Sequence, residues 1–182
     1  VIIVRQAKLF FTILWLIPIL GCQTIKPIHT VEHVDLNRFM GDWYVIASIP
    51  TFIEKDAFNA IESYRLDKDG TVATTFRFNK GSFDGPLKTY TPRGFIRDKT
   101  SNAVWGMQFI WPFKAEYRIM YLADDYAKTV IGRSKRDYVW IMAREPSIPD
   151  EEYKTILKFL TDQGYKLNDL QRVPHGQIGE GG

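Results

Sequence analysis

The sequence predicts an all-β protein, an eight-stranded antiparallel up-and-down β-barrel with one C-terminal α-helix packed outside. Three observations carry this expectation. Between Gly41 and Arg144 the chain offers about eight short β-type runs separated by turn signals. Every connection is short and free of a helical crossover, so sequence neighbours should pair antiparallel. A single amphipathic helical pattern follows the last run, where it can cover one outer face of the sheet. An immunoglobulin-like sandwich would need longer Greek-key connections.

The N-terminal segment reads as an export signal. Arg5 and Lys8 precede an apolar run from Leu9 to Leu20, which ends at Gly21-Cys22. A run of about a dozen residues falls short of the roughly 20 needed to span a bilayer, and the layout is that of a secretory signal peptide, residues 1–21. Its removal takes two positive charges from a formal +3 and leaves +1. With no basic cluster elsewhere, nucleic acid is not an expected partner. The remaining length suits one domain with a sizeable core. Cys22 is the only cysteine, so no intramolecular disulfide is available. Residues 22–34, with Pro27 and little periodicity, read as a flexible tether.

The domain is expected over residues 35–175. Leu36, Phe39 and Met40 make a short amphipathic turn that runs into Gly41, where the missing Cβ permits a sharp bend. Trp43–Ile49 is the first strand, and its leading indole can plug one end of a closed sheet. Ala57–Leu66 ends at the turn Asp67-Lys68-Asp69-Gly70, which feeds Thr71–Phe78. There Val72, Thr74, Phe76 and Phe78 alternate with more polar partners, the period of two of a half-buried strand. Lys88–Arg97, Ala103–Trp111, Tyr117–Ala123, Lys128–Gly132 and Tyr138–Arg144 complete the set. A helix is predicted from Pro149 to about Gln163, with Asp150-Glu151-Glu152 at its positive end and Gly164 as its stop. Tyr153, Ile156, Leu157 and Leu160 form its apolar stripe, and the Gly-rich tail, residues 176–182, is expected to be disordered.

Three of these features together resemble the lipocalins: Gly41-Asp42-Trp43 entering the first strand, Asp124-Asp125-Tyr126 after the sixth, and Arg144 closing the last. In the second of these Asp124 replaces the family's Thr. The resemblance runs from about Val34 to Val173 and implies that Arg144 packs across Trp43 at the closed end, a cation–π contact. Trp111-Pro112-Phe113 and Arg136-Asp137-Tyr138-Val139-Trp140-Ile141 are similar to segments of the bacterial, apolipoprotein D-like branch. Gly21-Cys22 likewise resembles a bacterial lipoprotein signal. That implies a lipidated Cys22, and Gln23 in place of Asp implies sorting to the outer membrane, on its periplasmic face.

Alternation from Trp43 places Val45, Ala47 and Ile49 inside the barrel. The same logic sends Phe76, Phe78, Tyr90, Ile96, Trp105, Met107, Phe109, Tyr117, Ile119, Tyr138 and Trp140 inward. Phe76, Phe78, Tyr90, Trp105, Met107, Phe109, Tyr117, Tyr138 and Trp140 are the ligand-binding candidates. Apolar walls with the polar tips of Tyr90, Tyr117 and Tyr138 suit a fatty acid or a lysophospholipid, and Arg93 or Arg118 could meet its anionic group. No catalytic set assembles and no metal or other cofactor is expected. His29, His33 and His175 lie in the tether or tail, and Glu62 and Glu116 read as isolated surface carboxylates. A lipid-anchored carrier is therefore expected, with a filled structural barrel or a weak lipid-modifying enzyme as alternatives. A homodimer would need an exposed apolar patch.

Cys22→Ser should abolish incorporation of labelled fatty acid and leave a precursor or a soluble form. Unchanged mass and unchanged membrane fractionation would contradict the lipoprotein reading.

Overall fold

The computed structural model describes residues 27–176. The signal peptide, Cys22 and the last six residues lie outside that range. A four-residue helix, α1 (Leu36–Phe39), precedes β1 (Gly41–Ile49), β2 (Ala57–Leu66), β3 (Thr71–Lys80), β4 (Leu87–Tyr90) and β5 (Arg93–Ile96). β6 (Val104–Ile110), β7 (Phe113–Leu122), β8 (Lys128–Gly132), β9 (Val139–Ala143), α2 (Asp150–Asp162) and β10 (Gln171–Arg172) follow. Strands pair antiparallel with their neighbours, and β1 pairs with β9, so the sheet closes on itself as predicted. The expected fourth strand is split into β4 and β5. Pro92 sits at the break, where it cannot donate a ladder hydrogen bond. β4 then pairs with one end of β3 and β5 with the other.

The closed end is built as the sequence led one to expect. The Arg144 guanidinium lies 3.8 Å from the centre of the Trp43 ring. Its nitrogens donate to the carbonyls of Arg38, Phe39, Met40 and Asp42 at 2.7–3.1 Å. The Trp43 indole N–H donates to the Phe39 carbonyl at 2.8 Å. Gly41 has φ +94, a conformation that favours glycine, and Arg144 Nη1 lies at contact distance, 3.4 Å, from where a Cβ would stand. Tyr126 supports the same corner: its hydroxyl accepts from the Asp35 N–H at 2.8 Å, and Arg38 lies over its ring.

Two apolar layers follow from the strand alternation. The inner one holds Phe39, Trp43, Val45, Tyr64, Phe76, Phe78, Trp105, Ile119 and Met142. The outer one joins Ile46, Val130, Val139 and Ile141 to Ile156 and Leu160 of α2, with Tyr153 and Leu157 packed alongside. α2 begins one residue after Pro149 and ends before Gly164 (φ +85).

The pairing register shifts at four places, in β1–β9, β2–β3, β6–β7 and β7–β8, and the first two change what alternation predicts. In β1 the register shifts between Val45 and Ala47 against β9, so Ala47 and Ile49 pack in the outer layer instead of the interior. In β2 it shifts between Phe58 and Ile61, with Asn59 at φ +52. The tether is also shorter than expected. Val34 is wholly buried, and the N–H groups of Val31 and Val34 donate to the Ile119 and Ser101 carbonyls at 3.0 and 2.8 Å. At the other end His175 is anchored: its Nε2 lies 2.9 Å from the Val45 carbonyl, and its ring meets Tyr44 edge-on. That places it on the outer face of the barrel.

Arg144→Ala should lower unfolding free energy by about 2–4 kcal/mol in urea denaturation, because several carbonyls lose a charged donor. Arg144→Lys should recover only part of that loss, since an ammonium cannot fork across four carbonyls. A loss within error for Arg144→Ala would contradict the role given to this corner.

Candidate ligand-binding site

A cavity of about 410 Å³ opens at the barrel end away from α1. Tyr90 of β4, Met107 and Phe109 of β6, Ala115 and Tyr117 of β7, and Tyr138 and Trp140 at β9 supply its apolar and aromatic wall. Thus six of the nine candidate residues come together around one space. Phe109 stands at the lip, 46% exposed. Trp105 lies beneath: its ring stacks on Tyr117 at 5.1 Å and meets Phe39 edge-on at 5.6 Å, which makes it floor packing. Phe76 and Phe78 are buried in the same inner layer but do not line the cavity.

Sequence reasoning missed the site's polar content. Glu62 is not a surface residue. It pairs across the sheet with Trp43 and Phe76, both inward, and the accessible part of its side chain faces the cavity. The Tyr64 hydroxyl donates to its carboxyl, and the Tyr117 hydroxyl stands 2.6 Å from that of Tyr64. Burial pushes the Glu62 carboxyl up to about 7; the Tyr64 hydrogen bond opposes the shift and the nearby Glu54 charge adds to it. Burial likewise drives both tyrosines well above their ordinary range. Glu54, between β1 and β2, is itself only 7% exposed. Its Oε2 accepts from the Thr51 N–H at 3.0 Å and the Trp140 indole N–H at 3.2 Å. Burial raises its pKa against those bonds.

The other charges near the cavity are paired, although the buried Arg133 Nε finds no hydrogen-bond partner among the described residues. Burial alone would raise the Glu116 carboxyl, but the Ser134 N–H, Arg118 (2.6 Å) and the Ser134 hydroxyl outweigh it and hold it low. Arg133 reaches Asp137 at 3.4 Å and lies over the Tyr138 ring. Of the two arginines proposed to meet an anionic group, Arg118 is engaged by Glu116, and Arg93 pairs with Asp67 and Asp69, each at 3.6 Å. Neither Arg118 nor Arg93 lines the cavity. Around the mouth Phe52, Ile110, Trp111 and Phe113 form an apolar rim, with Phe52 and Trp111 more than 80% exposed. Among the described residues no group of histidine, cysteine or carboxylate side chains could hold a metal ion, and no helix is long and apolar enough to cross a membrane.

A closed antiparallel barrel with an outer helix, a Trp–Arg plug at one end and an apolar cup at the other defines a small-ligand-binding barrel. Residues 34–175 match the family model described as a lipocalin-like domain, so the chain belongs to the lipocalin family. It is 28% identical over 161 residues to temperature-induced lipocalin-1 of Arabidopsis thaliana, covering 82% of this chain and 83% of that one. It is 29% identical over 147 residues to the outer membrane lipoprotein Blc of Citrobacter freundii, covering 80% and 81%. The fold is similar to that of insecticyanin from the tobacco hornworm Manduca sexta, with a TM-score of 0.66 at 15% identity over 82% of this chain and 85% of that one. Lipocalins are generally binding or transport proteins that hold small hydrophobic ligands.

Glu62 makes stability depend on pH. The unfolded chain releases this proton near 4.5 and the folded one near 7, so between those values the native state holds the extra proton. Stability should therefore fall as pH rises through that window, by on the order of 3 kcal/mol once above it. Glu62→Gln should match the wild type at pH 4 and exceed it at pH 8 in urea denaturation. A difference that does not change with pH would contradict the assignment.

Proposed function

We propose that this lipocalin is a lipid-anchored binding protein of the bacterial envelope that stores or carries one long-chain amphiphile, of the fatty acid or lysophospholipid class, inside its barrel. The observation that carries the reading is the cavity: a space of about 410 Å³, open at one end and walled by aromatic and aliphatic side chains. That volume falls within the range of small-molecule sites, and an acyl chain entering it leaves water for an apolar wall. The open volume favours a carrier over the filled structural barrel. The apolar rim would let the mouth rest against a lipid surface while ligand exchanges. Placement in the envelope, at the periplasmic face of the outer membrane, draws on the Gly21-Cys22 signal with Gln23 and on the bacterial relatives, which are named as outer membrane lipoproteins.

Two experiments test this reading. Lipid extracted from protein purified from native membranes should contain a stoichiometric single-chain amphiphile by mass spectrometry. Binding to the refolded, delipidated protein should be saturable in a titration against a fluorescent lipid reporter. Ala115→Trp, which fills the cavity without adding charge, should weaken that binding at least about tenfold, whereas Lys154→Glu on the exposed face of α2 should leave it unchanged. A folded Ala115→Trp protein that binds as well as the wild type would exclude the barrel interior as the site. Labelled lysophospholipid should be recovered intact after incubation; its hydrolysis would favour the lipid-modifying enzyme instead.

A further inference from the structure

The cavity that would hold a hydrocarbon chain also holds two carboxyl groups that have no cation acting on them. Glu54 and Glu62 both line it, one from the β1–β2 loop at the mouth and one from β2 further in. The groups that face them are hydroxyl, indole and backbone N–H donors. Tyr64 and, through it, Tyr117 stand at Glu62, and Thr51 and Trp140 stand at Glu54. Arg133, the basic residue in the lining, pairs through Nη1 with Asp137 and keeps a buried Nε with no hydrogen-bond partner among the described residues, but no arginine is among the charges acting on Glu54 or Glu62. The third lining carboxylate, Glu116, is taken by Arg118 and Ser134. Beside Glu54, the Thr51 hydroxyl oxygen is buried and belongs to the same lining. The remaining wall is rich in aromatic faces: Tyr90, Phe109, Tyr117, Tyr138 and Trp140.

Resting on the carrier reading above, we infer that this cavity selects amphiphiles by the charge of their polar end, accepting an ammonium group between Glu54, Glu62 and the surrounding rings and disfavouring a free carboxylate. An ammonium supplies what both carboxyls lack, a charged donor, and can use the Thr51 oxygen as a further acceptor. Aromatic faces add attraction for a cation in a site that excludes water. Above about pH 7, where Glu62 ionises, a fatty acid anion has either to share the site with like charge or to keep the acidic pair protonated, and both cost affinity. Burial holds Glu54 and Glu62 toward their neutral forms. A bound ammonium should draw them back to carboxylates and release protons to solvent. Within the class of long-chain amphiphiles, the inferred order of affinity is amine, then alcohol, then acid.

Dodecylamine, dodecanol and dodecanoate share one chain and differ only at the polar end. Each would be titrated into the full mature chain at about pH 7.5 against a fluorescent lipid reporter, with calorimetry in two buffers to count protons. The amine should bind at least about tenfold more tightly than the acid, with the alcohol between them, and amine binding should release protons. Glu54→Gln and Glu62→Gln should each narrow that gap by weakening the amine and strengthening the acid, and the double substitution should erase it. An acid that binds as tightly as the amine would overturn the inference and leave the carrier reading intact, provided the alcohol binds. A gap that survives the double substitution would also overturn it, because the preference would then arise elsewhere. If none of the three probes binds, the carrier reading and this inference fall together. The ranking on the unaltered protein decides the matter even if a substituted chain fails to fold.

Discussion

The barrel depends on a single side chain at its closed end. Closing a sheet brings the first strand against the last, here Tyr44 against Ala143 and Val45 against Met142. The helix that enters the first strand must then end somewhere without leaving its carbonyls unpaired. Arg144 solves both problems. It emerges from the end of β9, crosses the face of Trp43 and donates to the carbonyls of Arg38, Phe39, Met40 and Asp42. Only a planar cation with several donors can do this while its flat face rests on an indole. With that end sealed by Phe39, Trp43, Trp105 and Tyr64, the free volume is left at the other end.

The same economy explains why the cavity is unusual. Its floor is a stack of rings, Trp105 under Tyr117, and the hydroxyls of Tyr117 and Tyr64 need acceptors in an apolar setting. Glu62 provides one. The cost is an acidic group inside the barrel, which burial keeps protonated up to about pH 7. Glu54 repeats the arrangement near the mouth, with the Trp140 indole as donor. The carboxyls therefore satisfy the wall's own donors first, and their remaining acceptor capacity faces whatever enters.

The fold was legible in the sequence because its signals are local. Trp43 and Arg144 stand at the two ends of the barrel chain, and the turn at Asp67–Gly70 and the helix stop at Gly164 name themselves. Strand phase was legible only where pairing is regular. Along β9, Tyr138, Trp140 and Met142 face in while Val139, Ile141 and Ala143 face out, as alternation requires. In β1 the bulge at Ile46 reverses the phase, so Ala47 and Ile49 join the outer layer that also holds Ile156 and Leu160 of α2. No local feature of that segment announces the extra residue. In β2 the bulge near Asn59 hid Glu62, although counting back from Tyr64 by twos through Glu62 to Ala60 would have put all three on one face. Trp105 was read correctly as interior, but depth along the barrel is not encoded in alternation, so floor and wall could not be told apart.

The central claim is that a chain-like ligand occupies the space beside Met107 and no other apolar layer of the molecule. The four methionines report on this separately, because Met107 lines the cavity whereas Met120 lies in the layer under α2. Methyl-labelled methionine NMR with a protonated single-chain amphiphile should give ligand-to-protein NOEs from acyl protons to the Met107 methyl, with the Met120 methyl unmoved. NOEs to Met120 in place of Met107, or saturable binding that leaves Met107 unshifted, would contradict the account.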